Sequence, residues 1–177
     1  FTPMLTEVAS GQVDMLHIVA PMRGFHSRIN FLQGRVKAID SSSRRATVTI
    51  GGTGRGDPCA TRLLDADHLV LALGSVPDFY GIPGLAENSL TMNNLCDAAG
   101  IRNRALALLE RANAEPDPEL RRKLLTFVVG GGGFSGVETA AALHDLVHEA
   151  SAYYPNISQN DHRIVVIEAL DRLLPDL

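Results

Sequence analysis

The chain has only two cysteines, Cys59 and Cys96. They stand too far apart for a CxxC redox or zinc pattern and are too few for a disulfide framework, so a reducing, intracellular setting is expected and both read as ordinary small apolar residues. No apolar run approaches the roughly 20 residues that span a bilayer, and no charged segment leads into an apolar one at the start as in a secretory leader. Membrane association is therefore expected only at the periphery. Basic charge is also scarce: 16 Lys and Arg face 20 Asp and Glu, giving a formal net charge of −4. With the arginines scattered and no basic stripe, nucleic acid is not an expected partner.

What remains is a globular composition, 45% hydrophobic and 20% charged over 177 residues. A chain of that length buries roughly 70% of the surface its unfolded form exposes. It opens on Phe1 and stops at "LLPDL", directly after an expected strand. Both ends read as cuts through a longer polypeptide.

The first 25 residues read as two short helices separated near Gly11. Two β-rich runs, 30–40 and 46–50, are joined by "SSSRR" as a hairpin turn, and two further strands between 60 and 73 meet at 65–67. This small antiparallel meander is expected to deliver a buried strand at 68–73. "GGTGRG" lacks the Gly-Lys-Ser/Thr ending of a phosphate loop and reads as a flexible hairpin. Pro77 and Pro83, with nearby glycines, mark an irregular crossing. A long amphipathic helix at 94–113 follows, then a shorter one capped by "EPDPEL" and ending near Lys123. A strand at 125–129, a helix at 135–150, the loop "SAYYPNISQND" and a last strand at 163–168 complete the reading.

Between the last two strands lies "VVGGGGFSGVETAAALHDLVHEA". Gly131, Gly133 and Gly136 have G-x-G-x-x-G spacing directly after a strand and at the head of a helix. In that context the first glycine permits a tight turn, the second lets a pyrophosphate reach the backbone, and the third lets helix and strand pack closely. The helix N-terminus offers free N–H groups and partial positive charge to the phosphates. Glu168 ends the next strand, where a carboxylate accepts hydrogen bonds from an adenosine ribose and repels a 2′-phosphate, favouring NADH over NADPH. The same stretch holds "HDLVH", with His144 and His148 at i and i+4 as in an H-E-x-x-H zinc helix. Asp145 is one methylene shorter than the glutamate of that motif, and no third ligand is evident. His144 is also expected to share the sheet-facing side of the helix with Val137, Ala140 and Val147, so no metal site is expected.

Over nearly its whole length the chain resembles the FAD-dependent type II NADH dehydrogenases, or NADH:quinone oxidoreductases, of the two-dinucleotide-binding-domain flavoproteins. The resemblance rests on "FTPMLTEVASG", "FLQGRVKAID", "HLVLALGSVPDFYGIPGLAENS", "NNLCDAAGIRNRALALLERA" and "TFVVGGGGFSGVETAAAL". It implies an α/β fold: a Rossmann-like flavoprotein fragment with a small antiparallel β-meander. Residues 1–88 correspond to the latter part of the FAD-binding domain and 89–177 to the first part of the NADH-binding domain, truncated after its second strand.

It further implies FAD and NADH as cofactors, a quinone as electron acceptor, and a cytoplasmic protein held peripherally on the inner face of the cell membrane by a C-terminal region. A homodimer is compatible with it. Gly131, Gly133, Phe134, Ser135 and Gly136 would form the NADH pyrophosphate turn, and Glu168 would hold the adenosine ribose. Glu138, placed in the first helical turn, matches a carboxylate near the nicotinamide; on the bare sequence it is equally a favourable charge at a helix N-terminus. Gly74 and Ser75 match an Ala-Thr-Gly-Ser turn at FAD, with Leu73 in place of the threonine. Val36 matches a position whose backbone meets adenine, and Thr2 and Pro3 fall beside the isoalloxazine.

The N-terminal glycine turn for the FAD pyrophosphate is missing from the chain, which alone is expected to be inactive, marginally stable and prone to associate. A sulfide:quinone or ferredoxin reductase of the same superfamily is an alternative, although the two cysteines do not stand where a flavin-side pair belongs. So is an NADH-binding redox sensor without a flavin, against which the flavin-side match from Phe1 to Ser75 argues.

Overall fold

Asn94 starts a 20-residue helix, and the way it does so illustrates how local chemistry sets this architecture. Its side chain accepts from the Asp97 N–H at 3.0 Å, while Asp97 answers by accepting from Asn94 Nδ2, the Asn93 N–H and the Thr91 hydroxyl at 2.8, 2.9 and 2.8 Å. This reciprocal cap satisfies donors that the first helical turn leaves without partners. The Asp97 carboxyl is held below its ordinary value near 3.8, chiefly by the Asn93 N–H, against an opposing cost of burial and with further help from Thr91 and Asn94. Asn94→Ala in the full-length protein is expected to cost about 1 kcal/mol in denaturant unfolding. Because the Asp97 value is depressed on folding, its contribution is complete above the ordinary carboxylate range and is lost as pH falls through the depressed value.

The computed structural model describes residues 1–24, 28–51 and 59–175. They form two compact units, Ala20–Ser75 and a larger one made of Phe1–Val19 with Val76–Leu177. The smaller unit is an antiparallel sheet in the order β1 (Arg35–Asp40), β2 (Arg45–Gly51), β3 (Cys59–Asp65). Its first turn is built by Asp40, which accepts from the Ser42 and Ser43 N–H groups and the Ser43 hydroxyl at 2.9, 3.2 and 2.7 Å, while Arg44 takes φ 53°. Arg45 and Asp65, directly opposite in the register, form an ion pair at 2.6 Å.

Two expectations for this unit need correction. Residues 30–34 stand outside β1, which begins at Arg35 opposite Thr49. The run 68–73 is neither a strand nor buried: Val70 is 84% and Leu73 73% exposed. An apolar run becomes a strand only beside a partner, and among the described residues none pairs with it. The "GGTGRG" hairpin spans residues 51–56 and lies, but for its first glycine, outside the described residues.

The larger unit follows the sequence reading closely. A short α1 (Leu5–Ser10) ends at Gly11 in the left-handed conformation, φ 80°. The expected second helix is a 3-10 turn, Met15–Ile18. After the short α2 (Leu85–Asn88) come α3 (Leu95–Ala114), α4 (Pro118–Leu124), β4 (Thr126–Gly130), α5 (Phe134–Ser151) and β5 (Arg163–Ile167). In α4, Asp117 caps and Pro118 takes the first helical position, where its missing N–H costs nothing. β4 and β5 pair in parallel around α5, with Val128 opposite Val165, so β4–α5–β5 is a βαβ unit.

One core cluster joins Ala105, Leu109 and Ala112 of α3 with Leu125, Val129, Leu143, Val147 and Ile157. A second joins Leu5, Val8, Ala9, Ile18 and Ala98. The long loop after α5 is anchored to α3: Asn156 bonds twice to Asn113 at 3.0 and 2.9 Å, and Tyr154 donates to Glu110 at 3.0 Å. The loop can therefore lengthen the connection without loosening it. Among the described residues no helix is long and apolar enough to cross a membrane. Both cysteines are exposed, against their expected apolar roles.

Candidate functional site

At the end of β4 the backbone N–H of Gly131 donates to Ile167 at 2.8 Å, prolonging the pairing with β5 by one step. There the chain must turn, and Gly131 does so at φ 103°, a conformation that side chains disfavour. Gly133 then caps α5 without a side chain, in an extended conformation of φ −74° and ψ −174°. Gly133 supplies no side-chain cap, so among the described residues the first N–H groups of α5 are left as free donors. A Cβ on Gly133 would meet nothing within 4 Å, whereas one on Gly136 would lie 2.0 Å from the Gly131 carbonyl oxygen. The third glycine of the motif thus lets the helix close onto the turn, and the second fronts open space.

Glu168, immediately after β5, reaches this turn. One carboxylate oxygen accepts from the Gly132 N–H, and the other from Ala169 and Leu170 at 2.7 and 3.0 Å. Those three N–H groups, Gly132 first, hold the carboxyl below its ordinary range, so the anion persists throughout the neutral region and its contacts weaken only as pH falls through that depressed value.

Three participants were not singled out by spacing. Gly132 is the unspecified position of the motif, yet a Cβ there would lie 2.6 Å from Leu173 Cδ2 and 3.0 Å from the Glu168 carboxylate. Leu173 and Leu174 themselves close over the turn, the Leu174 N–H donating to the Gly132 carbonyl at 2.8 Å. Only its place inside the run of four glycines hinted at Gly132; nothing local hinted at the leucines.

The structure thus gathers Gly131, Gly133, Phe134, Ser135, Gly136 and Glu168 at one end of the βαβ unit. Phe134 is half exposed, and the Ser135 carbonyl accepts from Thr139 at 2.6 Å. Glu138 is exposed and lies beyond the first turn of α5, which starts at Phe134 and has no acidic residue in that turn. The favourable charge expected for it at the helix N-terminus is accordingly reduced, since that effect fades within one turn. In the smaller unit, Val36 sits in β1 at a register shift, 44% exposed, and Gly74 turns at φ 73° with open space around it, beside exposed Ser75. Thr2 and Pro3 form an exposed 3-10 turn in the larger unit.

The other end of α5 departs from expectation. His144 is exposed and does not pack on the sheet, as Val147 of the same helix does. His162, just before β5, brings Nε2 to 3.0 Å from His144 Nδ1, supplying the third imidazole that the sequence did not show. The pairing of β5 with β4 places it there, which no spacing within "HDLVH" could reveal. Burial, then repulsion from His144 and His148, pushes the His162 ring below its ordinary value, opposed by the Gln159 backbone and Asp161.

The comparisons with known proteins agree on one family. The pyridine nucleotide-disulphide oxidoreductase profile matches residues 1–177. The chain is 32% identical over 180 residues to the external alternative NADH-ubiquinone oxidoreductase of Yarrowia lipolytica mitochondria, covering 99% of this chain and 31% of that protein. It is 30% identical to the type II NADH:quinone oxidoreductase of Mycobacterium tuberculosis, over 100% of this chain and 38% of that one. The structure of NDH2 from Plasmodium falciparum in complex with NADH superimposes with a TM-score of 0.81 at 26% identity, covering 99% of this chain and 36% of that one. The chain thus spans about a third of the length of these relatives. With a Rossmann-type βαβ unit in place and its whole length matched, the chain belongs to the pyridine nucleotide-disulphide oxidoreductase family.

Proposed function

We propose that the full-length protein carrying this chain is an FAD-dependent NADH:quinone oxidoreductase, in which a hydride passes from NADH to the flavin and the electrons then pass to a quinone. The observation that carries this reading is the glycine-rich turn 131–136, with open donors at the head of α5 and Glu168 beside it. Such a surface fits a pyrophosphate followed by an adenosine ribose. The names of the relatives, NADH-ubiquinone and NADH:quinone oxidoreductases, support the donor and the acceptor class.

In this reading the backbone N–H groups of Phe134, Ser135 and Gly136 hold the pyrophosphate, and Gly131 and Gly133 leave it room. The Glu168 carboxylate accepts from the ribose hydroxyls and disfavours a 2′-phosphate. Glu138, exposed on the next turn, faces the nicotinamide end. On the flavin side, the backbone of Val36 meets the adenine, Gly74 and Ser75 approach FAD in a turn, and Thr2 and Pro3 flank the isoalloxazine. The bound flavin supplies the two-electron chemistry, and the chain supplies orientation and electrostatics.

Residues 1–88 then serve the FAD side and 89–177 the NADH side. The full-length protein sits peripherally on the inner face of the cell membrane through a region outside this chain. Anaerobic mixing of the full-length protein with NADH, and separately with NADPH, tests the proposal. Selective bleaching of the flavin absorbance by NADH is expected; a protein without a flavin band, or with a flavin that NADH leaves oxidised, overturns the reading in favour of a redox sensor.

A further inference from the structure

We propose that His144, His148 and His162 form a binding site for one borderline divalent transition-metal ion of the Zn(II) class, tying the C-terminal half of α5 to the segment that enters β5. One ligand nitrogen from each of the three lies within 4.8 Å of the others. His144 and His148 stand one helical turn apart with their rings stacked at 5.6 Å and 18°, and the His162 ring sits 4.9 Å from the first and 6.0 Å from the second. Tetrahedral zinc with bonds of about 2.0–2.1 Å separates its ligand nitrogens by about 3.3 Å. The 3.0 Å between His144 Nδ1 and His162 Nε2 is already close to such an edge. A rotation of the half-buried His148 ring supplies the third vertex, and water the fourth.

Burial bears on the tautomer of His162. His162 Nδ1 is buried with no hydrogen bond that meets the usual distance and angle, although the Gln159 backbone lies where it favours the charged ring. In the contact with His144 one of the two facing nitrogens must carry a proton. Ligation through His162 Nε2 requires the neutral ring to carry its proton on Nδ1 instead, on the side of the Gln159 backbone, as metal-bound imidazoles do when a second group fixes their tautomer. Imidazole donors select zinc, copper or nickel over calcium or magnesium. Asp145 neighbours the site but is exposed and shorter than the glutamate of a zinc hydrolase, so the assignment is to binding and not to hydrolysis.

The ion would clamp the end of the βαβ unit opposite the glycine turn, and ligand binding to the folded state alone raises stability. The test uses the full-length holoprotein, prepared without a histidine tag, treated with chelator and titrated with zinc chloride by calorimetry, with Co(II) absorption as a second readout. Saturable binding of one Zn(II) per chain at about micromolar affinity or tighter is expected, with a higher melting temperature and the visible bands of tetrahedral Co(II). His144→Asn, at an exposed position, and the pair His144→Asn with His148→Asn should weaken binding by at least about 10-fold while leaving flavin bleaching by NADH unchanged. Binding no tighter than about millimolar, or an affinity unaltered in the two variants, overturns the site whether or not the protein oxidises NADH.

Discussion

Gly136→Ala in the full-length protein is expected to reduce the rate of flavin bleaching by NADH at least ~100-fold at sub-saturating NADH and to lower stability by about 1–3 kcal/mol. The reason is geometric. A methyl at this position would lie 2.0 Å from the Gly131 carbonyl oxygen and 2.9 Å from its carbon. Both are backbone atoms of a turn that is itself fixed by the Gly131 N–H bond to β5. Relief can come only by moving the head of α5 away from β4, which withdraws the donors that hold the pyrophosphate.

Gly133→Ala separates folding from binding. Its backbone is extended and its surroundings are open, so alanine should fit with a stability change within about 0.5 kcal/mol. The added methyl nevertheless stands in the space a pyrophosphate needs, and NADH affinity should fall by about tenfold or more. If the Gly133 variant binds NADH normally, the open space is not a phosphate seat. If the Gly136 variant melts and reacts like its parent, the close approach of helix and turn is not required.

How much of this was legible in the sequence depended on whether the deciding interaction was local. Asn94 and Asp117 are caps whose partners lie within three residues, Pro118 follows its cap directly, and α3 and α4 begin where those residues indicate. The glycine turn was legible for the same reason: the strand, the spacing and the helix are contiguous. Residues 68–73 show the opposite case, because an apolar run records a preference for burial and not the presence of a neighbouring strand. Glu168 and Gly132 are separated by 36 residues and joined only when β5 pairs with β4, so their direct hydrogen bond could not be read from order along the chain. His162 was hidden in the same way. It follows "SAYYPNISQND", and its distance from His144 is set by the bonds of Asn156 to Asn113 and by the β4–β5 register.

Glu168→Gln is expected to lower kcat/KM for NADH by about 10–100-fold while leaving that for NADPH equal or higher, so that preference for NADH narrows by at least tenfold. Both carboxylate oxygens are engaged with backbone N–H groups of Gly132, Ala169 and Leu170. An amide has one acceptor oxygen and must turn its NH2 toward donors on one side, so the glycine turn loses a partner as well as a charge. A purely structural role would depress both cofactors alike. Loss of a carboxylate that faces the ribose acts differently, since removing the anion costs NADH its acceptor but relieves NADPH of repulsion at the 2′-phosphate. The ratio of the two specificity constants is therefore the decisive quantity: an unchanged ratio would leave Glu168 as a brace for Gly132 and move cofactor selection to another residue.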